Sequence, residues 1–212
     1  MKGRLITLEG GEGAGKSTLM DGLRVHLRSH GIDPLMVREP GGTSLGERVR
    51  ETLLDPDLHD EICAEAELLM MFAARAQLVH ACILPALSAG RWVLSDRFTD
   101  ASYAYQGAGR GQPRERIAAL ERWAAAGLQP DLTLLLDVPV ATGRRRAEGR
   151  GELADRIERE QASFFERVRA AYLERAAAEP GRIHVLDATR TPASVLETAV
   201  RAMQPLLDEA GP

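Results

Sequence analysis

The sequence predicts an α/β fold of three layers, a five-stranded parallel sheet covered by helices and completed by a short lid segment. Three observations predict it. Short apolar runs alternate with longer helical stretches from end to end. The runs are continuous rather than alternately polar, as in strands covered on both faces. The first run also leads into the first helical stretch through a glycine-rich turn. Alternation of this kind specifies parallel strands joined by helical crossovers.

Taken in order, Leu5 to Leu8 is the first strand, and a helix follows from Lys16 to Ser29. Leu35 to Val37 is the second strand, with helices at Ser44 to Leu54 and Ile62 to Ala89 behind it. Trp92 to Leu94 and Leu132 to Leu136 are the third and fourth strands, separated by a helix from Arg114 to Ala126. Helices at Val140 to Ala147 and Asp155 to Ala178 precede the last strand, Ile183 to Leu186. The final helix, Pro192 to Glu209, begins with Thr191 as its cap and proline in the first position, where the missing N–H costs nothing. All five strands are expected to be buried on both sides.

A length of 212 residues suits one domain with a sizeable core, and no repeat or low-complexity linker divides it. The expectation is a single domain over residues 1–212 with a lid at about 146–156. Within that lid, Glu148-Gly149-Arg150-Gly151-Glu152 is the best candidate for a mobile stretch. Of 27 basic residues only Lys2 and Lys16 are lysines, and the net charge is -4. Any basic site is therefore local, which argues against a dedicated nucleic-acid binder. The chain enters a strand at once, leaving no room for a signal peptide, and no apolar run approaches the roughly 20 residues that span a bilayer. A cytoplasmic protein without membrane contact is expected. Cys63 and Cys82 fall in one predicted helix, too far apart to pair, and read as reduced, buried small hydrophobes. Met20, Met36, Met70, Met71 and Met203 read as packing residues.

The turn after the first strand, Gly10-Gly11-Glu12-Gly13-Ala14-Gly15-Lys16-Ser17, fits G-x-x-x-x-G-K-[ST] completely, with Thr18 next. Glycines let successive backbone N–H groups surround phosphate oxygens at a helix N-terminus. Lys16 brings a cation to the β and γ phosphates, and the Ser17 hydroxyl can bind Mg²⁺. The chain is thus expected to bind a nucleoside triphosphate. It contains no asparagine, which excludes the guanine-reading N-K-x-D motif. A motor would need further coupling regions, so a metabolite kinase fits best.

Ser95-Asp96-Arg97-Phe98 follows the third strand, whose C-terminal end should open on the ligand crevice. Asp96 can orient Mg²⁺ through its water shell, and Arg97 can hold a second substrate's phosphate. Alternatively, the two form a buried ion pair that only locks a loop.

These segments, with Arg38-Glu39-Pro40-Gly41-Gly42-Thr43, Met71-Phe72-Ala73-Ala74-Arg75-Ala76-Gln77, Tyr103-Ala104-Tyr105-Gln106-Gly107 and Arg150-Gly151-Glu152-Leu153, resemble the bacterial thymidylate kinases in order and across nearly the whole chain. The resemblance implies a P-loop kinase fold and transfer of the ATP γ-phosphoryl group to dTMP. It further implies that Phe72 stacks on thymine, which from pattern alone reads more readily as core, and that Arg75 donates to a thymine carbonyl. Ser102 and Gln106 would bind the base edge, and Tyr105 would pack near the sugar. Arg38 and Pro40 would line the acceptor site. Glu12, unfavourable beside phosphates, would turn to the 3′-hydroxyl, and Glu9 would approach metal or acceptor.

Members of the family it resembles carry an extra arginine either in the P-loop or in the lid; Gly11-Glu12-Gly13-Ala14 holds no basic residue, so the resemblance implies a catalytic arginine from the lid, with Arg150 first and Arg146 second. Two departures from related lids blur the register: Glu148 stands where another arginine is common, and Ala154 adds one residue before Asp155-Arg156. The resemblance also implies a homodimer packed through helices, including Ile62 to Leu87. The competing readings are another nucleotide or deoxynucleoside kinase, and a non-catalytic nucleotide-binding regulatory module.

Overall fold

The computed structural model describes residues 2–58, 61–149 and 153–210. Five strands, β1 (Leu5–Gly10), β2 (Leu35–Arg38), β3 (Val93–Asp96), β4 (Leu132–Asp137) and β5 (Ile183–Asp187), form one sheet in the order β2-β3-β1-β4-β5. Every pairing is parallel, with Leu5 opposite Val93, Ile6 opposite Leu132, Leu35 opposite Val93 and Thr133 opposite Ile183. Parallel neighbours require a crossover, which the intervening helices supply. The chain first builds β2 and β3 on one side of β1 and then crosses to β4 and β5 on the other. That reversal opens a crevice beyond the C-terminal end of β1, where ligands of such sheets bind.

The helices are α1 (Lys16–Ser29), α2 (Ser44–Leu54), α3 (Ala64–Leu78), α4 (Leu84–Ser88), α5 (Thr99–Ser102), α6 (Arg114–Ala124), α7 (Val140–Glu148), α8 (Ala162–Ala178) and α9 (Pro192–Ala210). Alternate residues of a strand face opposite layers. Ile6, Leu8, Leu94 and Leu134 meet Leu19 and Leu23 of α1 and Ala199 and Met203 of α9. On the other side, Leu5 and Val93 join Leu78, Val79 and Ile83, while Leu135 joins Phe164, Val168 and Tyr172 of α8. Each fully buried leucine or valine contributes about 1.5–3 kcal/mol. The central strand β1 is buried throughout, whereas β2 and β5 carry exposed positions. Burial on both sides therefore fails at the two edges, which have a sheet neighbour on one side only.

Three helices depart from expectation. The helix expected from Ile62 starts at Ala64 and passes through a π-helical segment, Val79–Ile83, before α4. Pro85 lacks an N–H and crowds the preceding turn, and the wider π turn accommodates it. The run Ala64–Ser88 is also, by length and mean hydropathy (1.5), apolar enough to cross a membrane, contrary to the sequence-based expectation. Its Leu68, Phe72, Leu78, Val79 and Ile83 are instead buried inside the fold.

The helix expected from Asp155 begins at Ala162, because Asp155 Oδ1 accepts the N–H groups of Ile157 and Glu158 and folds the chain into a turn. A short helix and a second π segment, Tyr103–Gly109, were unforeseen. Cys63, expected buried, is the exposed residue before α3, and Cys82 is half-buried. At α9 the expected cap forms, with Thr191 Oγ1 accepting from the Ser194 N–H at 3.3 Å.

Candidate active site

The turn between β1 and α1 is shaped by Gly10, Gly13 and Gly15, whose φ values of 138°, 66° and 96° suit glycine. Gly13 has a second constraint: a Cβ there would stand 2.0 Å from the carbonyl oxygen of Gly143 in α7. In return, a Cβ on Gly143 would stand 2.4 Å from the Glu12 carbonyl. Backbone thus meets backbone where the loop leans on α7. Lys16 is nearly buried and donates to the carbonyls of Gly10 (3.2 Å) and Gly11 (3.1 Å). Burial, then the neighbouring Arg97 guanidinium, pulls its pKa below the usual lysine value.

The loop lines a polar groove of about 1070 Å³ together with Ser17, Thr18, Arg38, Asp96, Arg97 and Arg146. Asp96 ends β3, and its Oδ1 is buried with no hydrogen-bond partner among the described residues. Arg97 sits in the left-handed region at φ 71°, which a residue with a Cβ adopts at a cost. Its N–H, bonded to the Leu8 carbonyl at 2.9 Å, fixes that turn to β1. The guanidinium then reaches Gly10 O (2.9 Å), the Tyr172 hydroxyl (3.2 Å) and Glu12 Oε1 (2.8 Å), with the Tyr105 ring centroid at 4.7 Å. Arg97 therefore pairs with Glu12, and the loop-locking Asp96–Arg97 pair is not what forms. Arg38 is exposed and donates to Glu47 at 2.6 Å.

Past Arg97 the groove continues into a second chamber of about 940 Å³, whose walls include Pro40, Met71, Tyr105 and Gln106. Glu12, Glu39, Arg50 and Arg97 line both spaces. Arg75, a solvated helix position by pattern alone, is 1% exposed. It donates to Glu39 (2.7 Å), Ser102 Oγ (2.9 Å) and Phe98 O (3.0 Å), and stands 4.5 Å from the Phe72 ring centroid. Phe72 itself lies in a cluster with Leu68 and Ile117, so its pattern as a core residue is also real. Glu39 is buried, and burial lifts its pKa despite Arg75.

A third space of about 760 Å³ lies on the opposite flank of the loop, between Gly13, Thr18, Leu136, Ala188, Pro192 and Val195. Arg146, on α7, borders this space and the groove, and donates to Ala188 O at 2.9 Å. Arg150 lies outside the described residues. Glu9 is fully buried, accepting from the Phe98 N–H (2.8 Å) and the Tyr172 hydroxyl (2.7 Å), and is not among the groove-lining residues. Burial, then Asp100, pushes its pKa up to about 7. The sequence reading missed Glu39, Arg50 and the wall at Ala188 to Val195. Glu39 stands in the Arg38 to Thr43 segment but was given no role there, Arg50 lies outside every matching segment, and an apolar wall beside a helix start looks like any other.

A phosphate-binding loop lying between two chambers, at the switch point of a parallel sheet, defines a P-loop phosphotransferase that works between two nucleotide-sized ligands. A family model described as thymidylate kinase matches residues 8–199, and the chain belongs to the thymidylate kinase family. It is 55% identical over 207 residues to a thymidylate kinase of Pseudomonas putida, covering 98% of this chain and 96% of that protein. With one from Thiobacillus denitrificans it shares 56% over 206 residues, or 97% and 98% of the two chains. The crystal structure of thymidylate kinase from Ehrlichia chaffeensis superimposes with a TM-score of 0.77 at 28% identity, covering 96% of this chain and 99% of that one.

Proposed function

We propose that the protein transfers the γ-phosphoryl group of ATP to the 5′-phosphate of dTMP, giving dTDP and ADP. The observation that carries this reading is the continuous path from the P-loop groove past Arg97 into the chamber of Tyr105 and Gln106. ATP lies with its phosphates on the Gly10 to Thr18 loop and its base toward Ala188 and Val195. The acceptor phosphate meets Arg97 and Arg38, and thymine enters beside Phe72, Arg75, Ser102 and Gln106, with Tyr105 and Pro40 at the sugar and rim. Glu12 links the sites, holding Arg97 until the 3′-hydroxyl competes for its carboxylate.

An acceptor phosphate is already an anionic nucleophile, so no strong general base is needed and catalysis is positioning plus charge stabilisation. Lys16 and a lid arginine, Arg150 with Arg146 second, offset charge on the transferring group. Ser17 and Asp96, whose Oδ1 is buried without a partner among the described residues, would hold Mg²⁺, which would supply positive charge against that of the phosphates. The protein acts as a homodimer in the cytoplasm, with the exposed Leu69 of α3 in the contact.

The test is ADP release from Mg-ATP with dTMP, dUMP, dGMP, dAMP, dCMP and thymidine offered separately. Turnover led by dTMP, with kcat/KM lowered about 10³-fold or more in Arg97→Ala, is expected. No turnover with any acceptor, despite ATP binding, would leave only the regulatory-module reading.

A further inference from the structure

Glu67 lies in the first turn of α3 and is 1% exposed. Its Oε1 accepts from Nε2 of Gln106 at 2.9 Å, and its Oε2 accepts from Nη2 of Arg156 at 2.5 Å and from Nε of Arg110 at 3.1 Å. Facing two guanidiniums, Glu67 acts as a carboxylate, which only accepts hydrogen bonds. Gln106 must therefore turn its NH₂ group toward Glu67 and its carbonyl oxygen away. That oxygen is buried and has no hydrogen-bond partner among the described residues, and Gln106 lines the chamber beyond Arg97. A buried acceptor left unpaired has lost its water without a replacement, a penalty that a ligand N–H removes.

Arg156 extends this arrangement. It is 1% exposed, its Nε donates to Leu53 O at 2.7 Å, and its backbone N–H donates to Leu54 O at 3.0 Å. Those are end carbonyls of α2, so one residue ties the end of α2 to the start of α3 and, through Glu67, to the π segment carrying Gln106. Its neighbours Asp155 and Ile157 line the same chamber.

We propose that Glu67, held by Arg156, is a positioning residue that fixes which edge of Gln106 the acceptor base meets. The chamber then selects a base with a ring N–H, such as an imide, over one presenting a bare ring nitrogen. This rests on the reading of the chamber as the dTMP base site. Substitution of Glu67 by glutamine offers Gln106 an amide that can donate or accept, freeing Gln106 to turn its NH₂ group to the base.

The test compares kcat/KM for dTMP and for the monophosphate of 5-methyldeoxycytidine, which keeps the methyl group but lacks the ring N–H. In Glu67→Gln the preference for dTMP should fall about tenfold or more. A residue that only stabilised the fold would lower both substrates alike, so an unchanged ratio in the folded variant overturns the proposal. Should Glu67→Gln not fold, Glu67→Gln with Arg110→Gln, which removes one of the two guanidiniums facing residue 67, is read by the same ratio. Calorimetry on the unaltered protein adds a measurement independent of folding. N3-methyl-dTMP should bind at least about tenfold more weakly than dTMP, and equal binding overturns the proposal. Failure of the unaltered protein to turn over dTMP would instead overturn the underlying reading of the site.

Discussion

Arg97 shows how much of a groove residue's behaviour is set by its neighbours. Its place after β3 follows from the sequence, because a strand end in a parallel sheet opens on the crevice. Its partner does not: Glu12 is 85 residues away in the chain, and only folding brings the two together. Arg75 and Glu39 show the same dependence, since neither carries a burial signal alone, yet both are buried and paired at 2.7 Å in the fold. The same environment makes Glu9 a titration probe. A carboxyl with a folded pKa of about 7, above its unfolded value, contributes stability fully present below the unfolded pKa and lost as pH rises through 7. Relative to Glu9→Gln, the protein should therefore lose on the order of 3 kcal/mol between pH 4 and pH 8. Denaturant unfolding of both proteins at each pH would show it, and parallel pH curves would refute it.

At the scale of elements, the central strands and α1 and α2 were legible because continuous apolar runs and the P-loop leave few alternatives. What was not legible came from backbone bonds that pattern does not encode. Asp155 diverts the chain into a turn where the periodicity suggested helix, and Pro85 is met by a π turn rather than a break. The contact of the P-loop with α7 is of this kind too. Gly143→Ala would drive a Cβ to 2.4 Å from the Glu12 carbonyl, so α7 or the loop must shift. Because Gly13 to Thr18 line the groove and Arg146 rides on α7, KM for ATP should rise about tenfold or more while the circular-dichroism spectrum stays unchanged. An unaltered KM would show that the contact is slack.

For the whole molecule, the parallel sheet was legible in the alternation of elements but its order was not, and it is that order, with β1 between the two halves, that lets one crevice serve two ligands. The surface is less readable. Leu69 is 57% exposed on α3 and Trp123 is 80% exposed on α6, and a sequence cannot separate such positions from core ones of the same helices. If Leu69 belongs to the homodimer contact, Leu69→Glu should halve the mass seen by light scattering at micromolar concentration, and an unchanged mass would remove α3 from the interface.

The meeting of Gly13 and Gly143 also bears on how such proteins exchange parts. The loop and the start of α7 are matched surfaces, each shaped by the absence of a side chain on the other. A chimaera that takes residues 144–156 from a relative therefore keeps this fit, because the junction falls after Gly143. A graft beginning at Val140 inherits a first turn moulded to a different loop.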